Sequence, residues 1–251
     1  MSTVRDRIWY WGLHFGEGHN PTEPLDFFGI PNGLVIIVKN KPEPPFQPLM
    51  RQITSVRRVV WSVLGESLST RNDLEPVLAL AEEFPNLVAG IMDDFFTTRS
   101  DDPQKIGRFT VAEVENIRNR LHAAAHPLEL WTVLYAHESE LPVAPYLAPC
   151  DVITFWTWWA KHLPDLEANF ARFEQIAGGK RRMLGCYLWD WGDDRPMPLD
   201  LMQHQCRLGL DYLLSGRVEG LIFLPGPVPL RELETAQWTR EWIAEVGERE
   251  A

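Results

Sequence analysis

The sequence predicts a single-domain α/β protein, a (β/α)8 (TIM) barrel that spans residues 1–251. Three observations predict this fold. Short β-rich runs alternate with helical patterns along the whole chain, in the order strand, then helix. Eight strands in 251 residues match the size of this barrel. Runs such as Leu34–Val38 and Leu221–Leu224 are continuously apolar, which is typical of parallel strands buried on both faces.

The eight predicted strands are runs rich in β-branched and aromatic residues that end at turn residues. They cover Arg7–Phe15, Gly33–Lys39, Arg58–Gly65, Leu87–Phe95, Leu128–Glu138, Asp151–Trp158, Met183–Trp191 and Val218–Leu224. Pro85, Pro127 and Pro149 stand just before the fourth, fifth and sixth runs, where a proline ends a helix without interrupting a strand ladder.

Six helical patterns follow these strands. They cover Pro44–Val56, Thr70–Phe84, Thr110–Ala125, Leu163–Ala177, Leu199–Ser215 and Leu230–Glu248. Thr110 and Glu113 have the spacing of a capping box, which places a helix start there. The crossings at Glu17–Asn32 and Ser139–Pro149 are rich in proline and predict only short helices.

An open doubly wound sheet is the alternative fold. Such sheets usually carry a glycine-rich GxGxxG first turn, and the segment Gly16–Pro21 lacks the third glycine. The sequence also contains neither a Walker loop nor an HExxH motif. The barrel is therefore favoured.

The charge balance limits the partners. With 24 basic and 35 acidic side chains the net charge is −11, which argues against a nucleic-acid or anionic-membrane partner. The longest apolar runs are about eight residues, short of the roughly 20 that span a bilayer. Cys150, Cys186 and Cys206 form no CxxC pair and predict buried free thiols. With no signal peptide visible, we expect a cytoplasmic protein.

Polar residues cluster after the predicted strands, at the carboxyl ends where barrel enzymes build their active sites. They are His14, Glu17, Glu66, Asp93, Asp94, His137, Glu138, Asp190, Asp193 and Asp194. The closed barrel predicts that Glu17, Asp94, Glu138 and Asp190 open on one rim.

Asp93 and Asp94 follow the fourth strand. Alternation along this strand predicts that Gly90, Met92 and Asp94 face the barrel, so Asp94 is the favoured catalytic residue. The alternative is that the two aspartates only cap or turn the loop. Adjacent carboxylates repel unless a proton, cation or hydroxyl compensates, and Phe95 beside them would raise a carboxyl pKa. These features suit a general acid.

Two further carboxylates are catalytic candidates. Glu138 follows the fifth strand, and its alternative is a solvated loop acid. Asp190 lies between two tryptophans after the seventh strand, an arrangement that is unusual for a loose surface turn. Asp193, Asp194 and Arg195 are interpreted as a loop-internal ion pair or as the approach to the next helix, in preference to a catalytic role. Glu66 is interpreted as mainly structural.

Aromatic residues gather at the same strand ends. Aromatic planes beside carboxylates and hydrogen-bonding side chains are what sugar recognition needs, since the C–H face of a pyranose stacks on a ring. The predicted substrate-binding residues are Asp93, His14, Tyr10, Trp156, Trp158, Trp189 and Trp191.

The segments Gly90–Phe95 and Tyr187–Gly192 resemble those of bacterial glycoside-hydrolase-like (β/α)8 proteins, which carry a Gly-x-x-Asp-Asp-Phe stretch after the fourth strand. The resemblance covers most of the chain at the level of the fold. Large retaining families of this fold place an acid/base after the fourth strand and a nucleophile after the seventh, where Asp94 and Asp190 stand. Those families generally carry glutamate at both places, and this chain lacks the glutamate that ends the fourth strand in chitinase-like barrels.

The favoured function is therefore a glycoside hydrolase, with Asp94 as acid and Asp190 or Glu138 as base in an inverting reaction. No cofactor is expected. The loops after strands seven and eight offer acids and prolines in place of anion-binding amides, which predicts a neutral carbohydrate substrate.

Two alternatives stay open. One is a metal-dependent sugar isomerase or lyase, with His14, Glu66, Asp94 and Glu138 as ligands. The other is a barrel that binds carbohydrate without catalysis.

Overall fold

The structure is a computed structural model that describes residues 2–96 and 106–251. Eight parallel strands close into a barrel in the order β1-β2-β3-β4-β5-β6-β7-β10, which confirms the predicted (β/α)8 fold. The barrel strands are β1 (Ile8–Trp11), β2 (Asn32–Val35), β3 (Arg58–Leu64), β4 (Leu87–Met92), β5 (Glu129–Tyr135), β6 (Val152–Trp156), β7 (Arg181–Tyr187) and β10 (Gly220–Leu224).

The helices surround the barrel and are shorter than their predicted patterns. They are α1 (Glu23–Phe28), α2 (Gln47–Met50), α3 (Leu74–Ala81), α4 (Val111–His122), α5 (Ala144–Leu147), α6 (Leu166–Ala177), α7 (Leu199–Leu214) and α8 (Glu234–Val246). The two proline-rich crossings hold only the short helices α1 and α5, as predicted. The capping box at Thr110 and Glu113 is present at the start of α4. No helix in the described part of the chain is long and apolar enough to span a bilayer.

The predicted seventh strand is interrupted after Tyr187. The Leu188 N–H donates to the Leu224 carbonyl at 2.9 Å, so this residue still follows the barrel. The next two residues form β8 (Trp189–Asp190), which pairs antiparallel with β9 (Arg195–Pro196) in a small hairpin. This hairpin turns Asp190 away from the direction that a continuous strand would give it.

Aromatic rings fill the barrel interior. Trp9 of β1 lies edge-on to Trp131 of β5, with 5.1 Å between ring centroids, and Trp11 contacts Trp156 of β6 in the same way at 5.1 Å. These strands stand across the barrel from one another, so the contacts run through its centre. The Trp156 ring lies over Gly185 of β7, where an added Cβ would be 2.0 Å from the ring. Trp11 and Trp156, at the carboxyl ends of β1 and β6, form an aromatic floor beneath the mouth of the barrel.

The predicted facing of β4 is wrong. A Cβ at Gly90 would lie 2.7 Å from Val63 and 3.2 Å from Leu121 of α4, so Gly90 faces the helix layer. Alternation then directs Ile91 and Asp93 toward the barrel interior. Glycine has no side chain to show its facing in a sequence pattern, and both phases of this strand are apolar.

The predicted placement of Tyr10 at the mouth is also wrong. Its ring packs against Phe28 of α1 at 6.1 Å, between the strand and the helix layer. Its neighbours Trp9 and Trp11 face inward, so strand alternation requires Tyr10 to face outward. Tyr10 is a core residue, and burial raises the pKa of its hydroxyl.

Candidate active site

A pocket of about 430 Å³ opens at the carboxyl ends of the barrel strands. This is the face on which enzymes of this fold carry their active sites. Trp11 and His14 line it after β1, Glu66 and Ser67 after β3, Asp93 and Asp94 after β4, Tyr135 at the end of β5, and Trp156 and Trp158 after β6. Tyr187, Trp191 and the segment Leu224–Gly226 complete the lining on the side of β7 and β10.

Asp93 and Asp94, hereafter the carboxyl pair, both line the pocket although they are consecutive residues. In a regular strand they would point to opposite faces. Asp94 instead adopts a left-handed backbone conformation, with φ of 41°, which breaks the alternation. Its N–H donates to the Asp93 carboxylate at 2.9 Å. Strand alternation predicts that only one of the two faces the mouth, and the turn at Asp94 brings both there.

The Asp94 carboxylate is held from two sides. Its Oδ1 accepts a hydrogen bond from the Tyr135 hydroxyl at 2.7 Å, and its Oδ2 accepts the Ser67 N–H at 3.0 Å. The Tyr187 side chain is hydrogen-bonded to that of Tyr135. The bonds from Tyr135 and Ser67 fix the orientation of Asp94 within the pocket.

Asp93 is the more buried member of the carboxyl pair, at 5% exposed. Burial raises its pKa well above the ordinary value, and the negative charge of Asp94 raises it further. Asp93 therefore retains a proton to higher pH than a solvated aspartate. A protonated carboxyl beside an anchored partner is an arrangement suited to general acid catalysis.

Arg108 supports the loop beside the carboxyl pair. Its guanidinium donates to the carbonyl of Gly65 at 2.6 Å and to that of Ser69. Burial lowers the pKa of Arg108, and the charges of Asp94, Asp93 and Glu66 act in the opposite direction. The arginine thus places positive charge near the acids while its donors are used by backbone.

Four tryptophans form the aromatic wall of the pocket, namely Trp11, Trp156, Trp158 and Trp191. Trp158 and Trp191 are half-buried, so part of each ring is available to a ligand. The Trp158 ring meets Tyr135 edge-on at 5.5 Å and Tyr187 at 5.9 Å. The predicted pocket residues His14, Trp156, Trp158 and Trp191 therefore all line the site, and Trp156 also contacts Tyr187, with 4.9 Å between ring centroids.

Asp190, predicted as a catalytic residue, does not line the pocket and is fully buried. Its Oδ1 accepts the N–H groups of Ala160 at 3.1 Å and Asp193 at 3.4 Å, and its Oδ2 accepts from Arg195 at 3.3 Å. These bonds tie the hairpin to the loop after β6. Asp193 and Arg195 form the predicted loop-internal ion pair at 3.1 Å. Asp190 is thus a structural residue, and the predicted rim of four open carboxylates is wrong.

Glu138 and Trp189 also lie outside the pocket lining. Glu138 is 4% exposed and accepts the Tyr135 N–H at 2.9 Å. Burial raises its pKa to about 8. Trp189 donates its indole N–H to Asp194 at 3.1 Å and packs on Gly226, with its own ring buried. Neither side chain is placed to touch a ligand in this pocket.

The predicted metal ligands do not assemble. Glu66 accepts the N–H groups of Lys39 at 2.8 Å and Leu68 at 2.9 Å, which makes it a loop-stabilising residue, as the sequence suggested. Glu138 lies outside the pocket lining. Within residues 2–96 and 106–251, no three histidine, cysteine, aspartate or glutamate side chains are grouped to hold a metal ion. The geometry does not favour the isomerase or lyase alternative.

Sequence reasoning missed Tyr135, Tyr187 and Arg108. Tyr135 and Tyr187 are the last residues of β5 and β7, and this position was itself a usable signal, because the end of a barrel strand is where pocket residues stand. The acidic residues that follow these strands, Glu138 and Asp190, form the more conspicuous sequence pattern. Arg108 lies in a loop, where periodicity carries no information about contacts.

Comparisons with known proteins support the fold. The sequence matches no protein-family model. No curated protein matches it either. Among solved structures, the glycoside hydrolase domain of PgaB (BpsB) from Bordetella bronchiseptica is similar with a TM-score of 0.58 and 10% identity, over 98% of this chain and 99% of that one.

Two other structures share the fold. The xylanase-α-amylase inhibitor protein XAIP-I, in complex with trehalose, has a TM-score of 0.55 and 13% identity, over 96% of this chain and 98% of that one. A protein from Clostridium thermocellum that binds two copies of 5-methyl-5,6,7,8-tetrahydrofolic acid has a TM-score of 0.57 and 8% identity, over 96% and 95%. These likenesses show a (β/α)8 barrel and no particular activity, because one fold supports many functions.

Proposed function

We propose that the chain is a glycoside hydrolase that acts on a neutral carbohydrate, with the carboxyl pair as its proton-transfer group. One observation carries the proposal. The pocket sets a buried, high-pKa Asp93 and an anchored Asp94 among exposed faces of Trp158 and Trp191. Hydrolysis of a glycosidic bond needs a proton donor at the leaving oxygen and a surface that holds the sugar ring.

The lining of the pocket favours a sugar. Aromatic faces stack on the C–H faces of a pyranose, while carboxylate, hydroxyl and imidazole groups bind its hydroxyls. His14 and Tyr135 supply such polar groups beside the aromatic wall. A cavity of this volume lies within the range of small-ligand sites, roughly 300–1,000 Å³.

The charge of the lining favours a neutral substrate. No lysine or arginine is among the described residues that line the pocket. Arg108, just outside, spends its donors on backbone carbonyls. The segment Leu224–Gly226 after β10 includes Pro225, which has no N–H to offer an anion. The phosphate of a phosphorylated sugar would therefore meet carboxylates, with no basic side chain among the described lining residues.

The roles within the carboxyl pair differ from the sequence prediction. Asp93 is the better proton donor, because burial and the neighbouring charge of Asp94 raise its pKa. Asp94 is the better acceptor, because Tyr135 and Ser67 donate to both of its oxygens and stabilise negative charge there. Neither Asp190 nor Glu138 reaches the pocket to act as base.

The test uses Asp93→Asn and Asp94→Asn, with Asp200→Asn at the exposed start of α7 as the matched control. Turnover of a panel of glycosides should fall at least about 100-fold in both pocket variants and stay unchanged in the control. The loss in Asp93→Asn should grow as the leaving group becomes more basic, because a poor leaving group depends most on proton donation.

Thermal melts of all three variants establish that folding is retained. Near-normal turnover in both pocket variants would remove the carboxyl pair from the mechanism. If oligosaccharides quench the tryptophan fluorescence of the parent protein but none of them is cleaved, the protein is instead a carbohydrate-binding barrel.

A further inference from the structure

The carboxylates that line the pocket all stand on one side of the barrel. Glu66 follows β3, and the carboxyl pair follows β4. In the strand order of the barrel, β7 and β10 lie directly opposite these two strands. The described lining residues from that opposite side are Tyr187, Trp191, Leu224, Pro225 and Gly226, and none of them carries a carboxylate.

This one-sided arrangement conflicts with the usual pair of glycosidase carboxyls. That pair flanks the scissile bond, roughly 5–5.5 Å apart for retention or roughly 6.5–9.5 Å for inversion, so that one member attacks or activates water from the face opposite the leaving group. Asp93 and Asp94 are consecutive and joined by a hydrogen bond, so both approach the sugar from the same side. Asp190, at the end of the opposite wall, is buried and fully engaged.

Tyr187 is the remaining candidate nucleophile on the far wall. Its hydroxyl is hydrogen-bonded to Tyr135, and burial raises its pKa well above the ordinary value. A phenol held in its neutral form is a weak nucleophile. The described lining therefore contains a proton donor and an anchored acceptor on one side, with no activated nucleophile on the other.

We propose that the substrate brings its own nucleophile, and that this site cleaves glycosides of 2-acylamino sugars. The inference rests on the proposed glycosidase function and specifies its substrate class. In such a sugar the amide on C2 neighbours the glycosidic oxygen on C1, so two adjacent carboxyls match two adjacent substrate groups. Asp93 faces the glycosidic oxygen, and Asp94 accepts the amide N–H.

The reaction then proceeds in two displacements. The amide carbonyl oxygen attacks C1 from the face opposite the leaving group, the C1–O glycosidic bond breaks, and the leaving oxygen takes its electron pair and the proton of Asp93. The resulting cyclic oxazolinium ion is paired with the Asp94 carboxylate through the amide N–H. Water next attacks C1 and gives a proton to Asp93. The C1–O bond of the oxazolinium ring breaks at the same time, which restores the amide. Two inversions give net retention.

The aromatic wall suits this substrate. Trp11 and Trp156 form the apolar floor of the pocket, and an acyl methyl group placed there would be removed from water. The acyl oxygen is tethered to C2, so it approaches C1 from the face that carries the C2 substituent. Displacement requires the leaving group on the opposite face, so the site should accept the anomer in which the C1 and C2 substituents are trans.

The experiment compares 4-methylumbelliferyl glycosides that differ only at C2, an acetamido group against a hydroxyl, in the trans anomer. We expect at least about 100-fold higher kcat/KM for the acetamido sugar, as an oriented intramolecular nucleophile provides. A second series replaces the acetyl group by its mono-, di- and trifluoro forms. Turnover should fall with each fluorine, because fluorine weakens the carbonyl oxygen as a nucleophile. In Asp94→Asn this acetamido preference should shrink, while Asp200→Asn should keep it.

Each other outcome is decisive. Equal cleavage of the 2-hydroxy sugar, or a glycosyl group trapped on a protein side chain by a 2-fluoro sugar and found by mass spectrometry, overturns this inference and leaves the glycosidase function standing. Failure to cleave either class of glycoside overturns the proposed function itself.

Discussion

A substitution at Glu138 can show directly whether this carboxyl has a structural or a catalytic role. It ends the short 3-10 turn Ala136–Glu138 after β5, and its side chain accepts the Tyr135 N–H at 2.9 Å. The change Glu138→Gln keeps an oxygen that can accept this bond and removes the ionisable group. Because the side chain is outside the pocket lining, the change should alter stability against pH far more than turnover.

The size of the effect follows from the pKa of Glu138, which burial raises from 4.5 to about 8. Well below pH 4.5 the Glu138 carboxyl is protonated in both the folded and the unfolded chain. Its contribution to the free energy of unfolding is then most favourable, because no charge has to be buried. As the pH rises toward 8, the unfolded chain releases the proton and the folded chain retains it, so stability falls by about 1.4 kcal/mol per pH unit. From pH 5 to pH 8 the loss is about 3.5 kcal/mol, because the slope is smaller near each pKa, and this corresponds to roughly 7–14 °C in Tm for a chain of this size.

The assay is a set of thermal melts at pH 5, 6, 7 and 8 for the parent, Glu138→Gln and the exposed neighbour variant Glu140→Gln. The Tm advantage of Glu138→Gln over the parent should grow with pH, while Glu140→Gln should follow the parent. Turnover of Glu138→Gln should stay within about tenfold of the parent, short of the loss expected for a proton-transfer residue. Parallel Tm curves, or a loss of 100-fold or more in turnover, would refute the structural assignment.

Three further changes test the architecture. Asp190→Asn removes the charge that Arg195 contacts and should lower stability by about 1.5–3 kcal/mol with turnover within tenfold, measured by denaturant melts and kinetics; an inactive variant with parental stability would restore Asp190 to the mechanism. Gly185→Ala would place a methyl 2.0 Å from the Trp156 ring, so we expect the free energy of unfolding to fall by about 3 kcal/mol or more and sugar binding to weaken. A melting temperature equal to that of the parent would contradict the packing of Trp156 over Gly185. Thr110→Ala should lower stability by about 1 kcal/mol through loss of the cap at α4 and leave kcat/KM unchanged, so a change in kinetics would contradict a purely local role.

The barrel could be predicted from sequence because its strands are buried on both faces and its helices are amphipathic, so each element leaves a pattern of its own. The same double burial hides which way a strand faces. Trp9, Tyr10 and Trp11 are all aromatic, and either phase would bury them. Only the contacts across the barrel show that Trp9 and Trp11 face inward and Tyr10 faces α1.

The sequence predicted only part of the site, because strand ends can be located from local pattern and the course of the loops cannot. Strand ends locate a rim, and this placed Asp94, His14 and Trp158 at the pocket. What the residues after a strand end do depends on the loop that follows. The hairpin β8–β9 turns Asp190 inward to backbone and Arg195, a rearrangement set by pairing with residues further along the chain. This pairing cannot be predicted from the local sequence pattern.

The left-handed backbone at Asp94 accounts for the choice of aspartate over glutamate after β4. Aspartate and asparagine tolerate this conformation better than most residues with a Cβ, because their short polar side chains can interact with nearby backbone. A glutamate here would lose that local compensation. The dihedral that lets two consecutive acids share one pocket thus narrows the amino acids position 94 can accept. It also means that an alanine at 94 would combine lost chemistry with backbone strain of roughly 1–2 kcal/mol, whereas asparagine changes the chemistry alone.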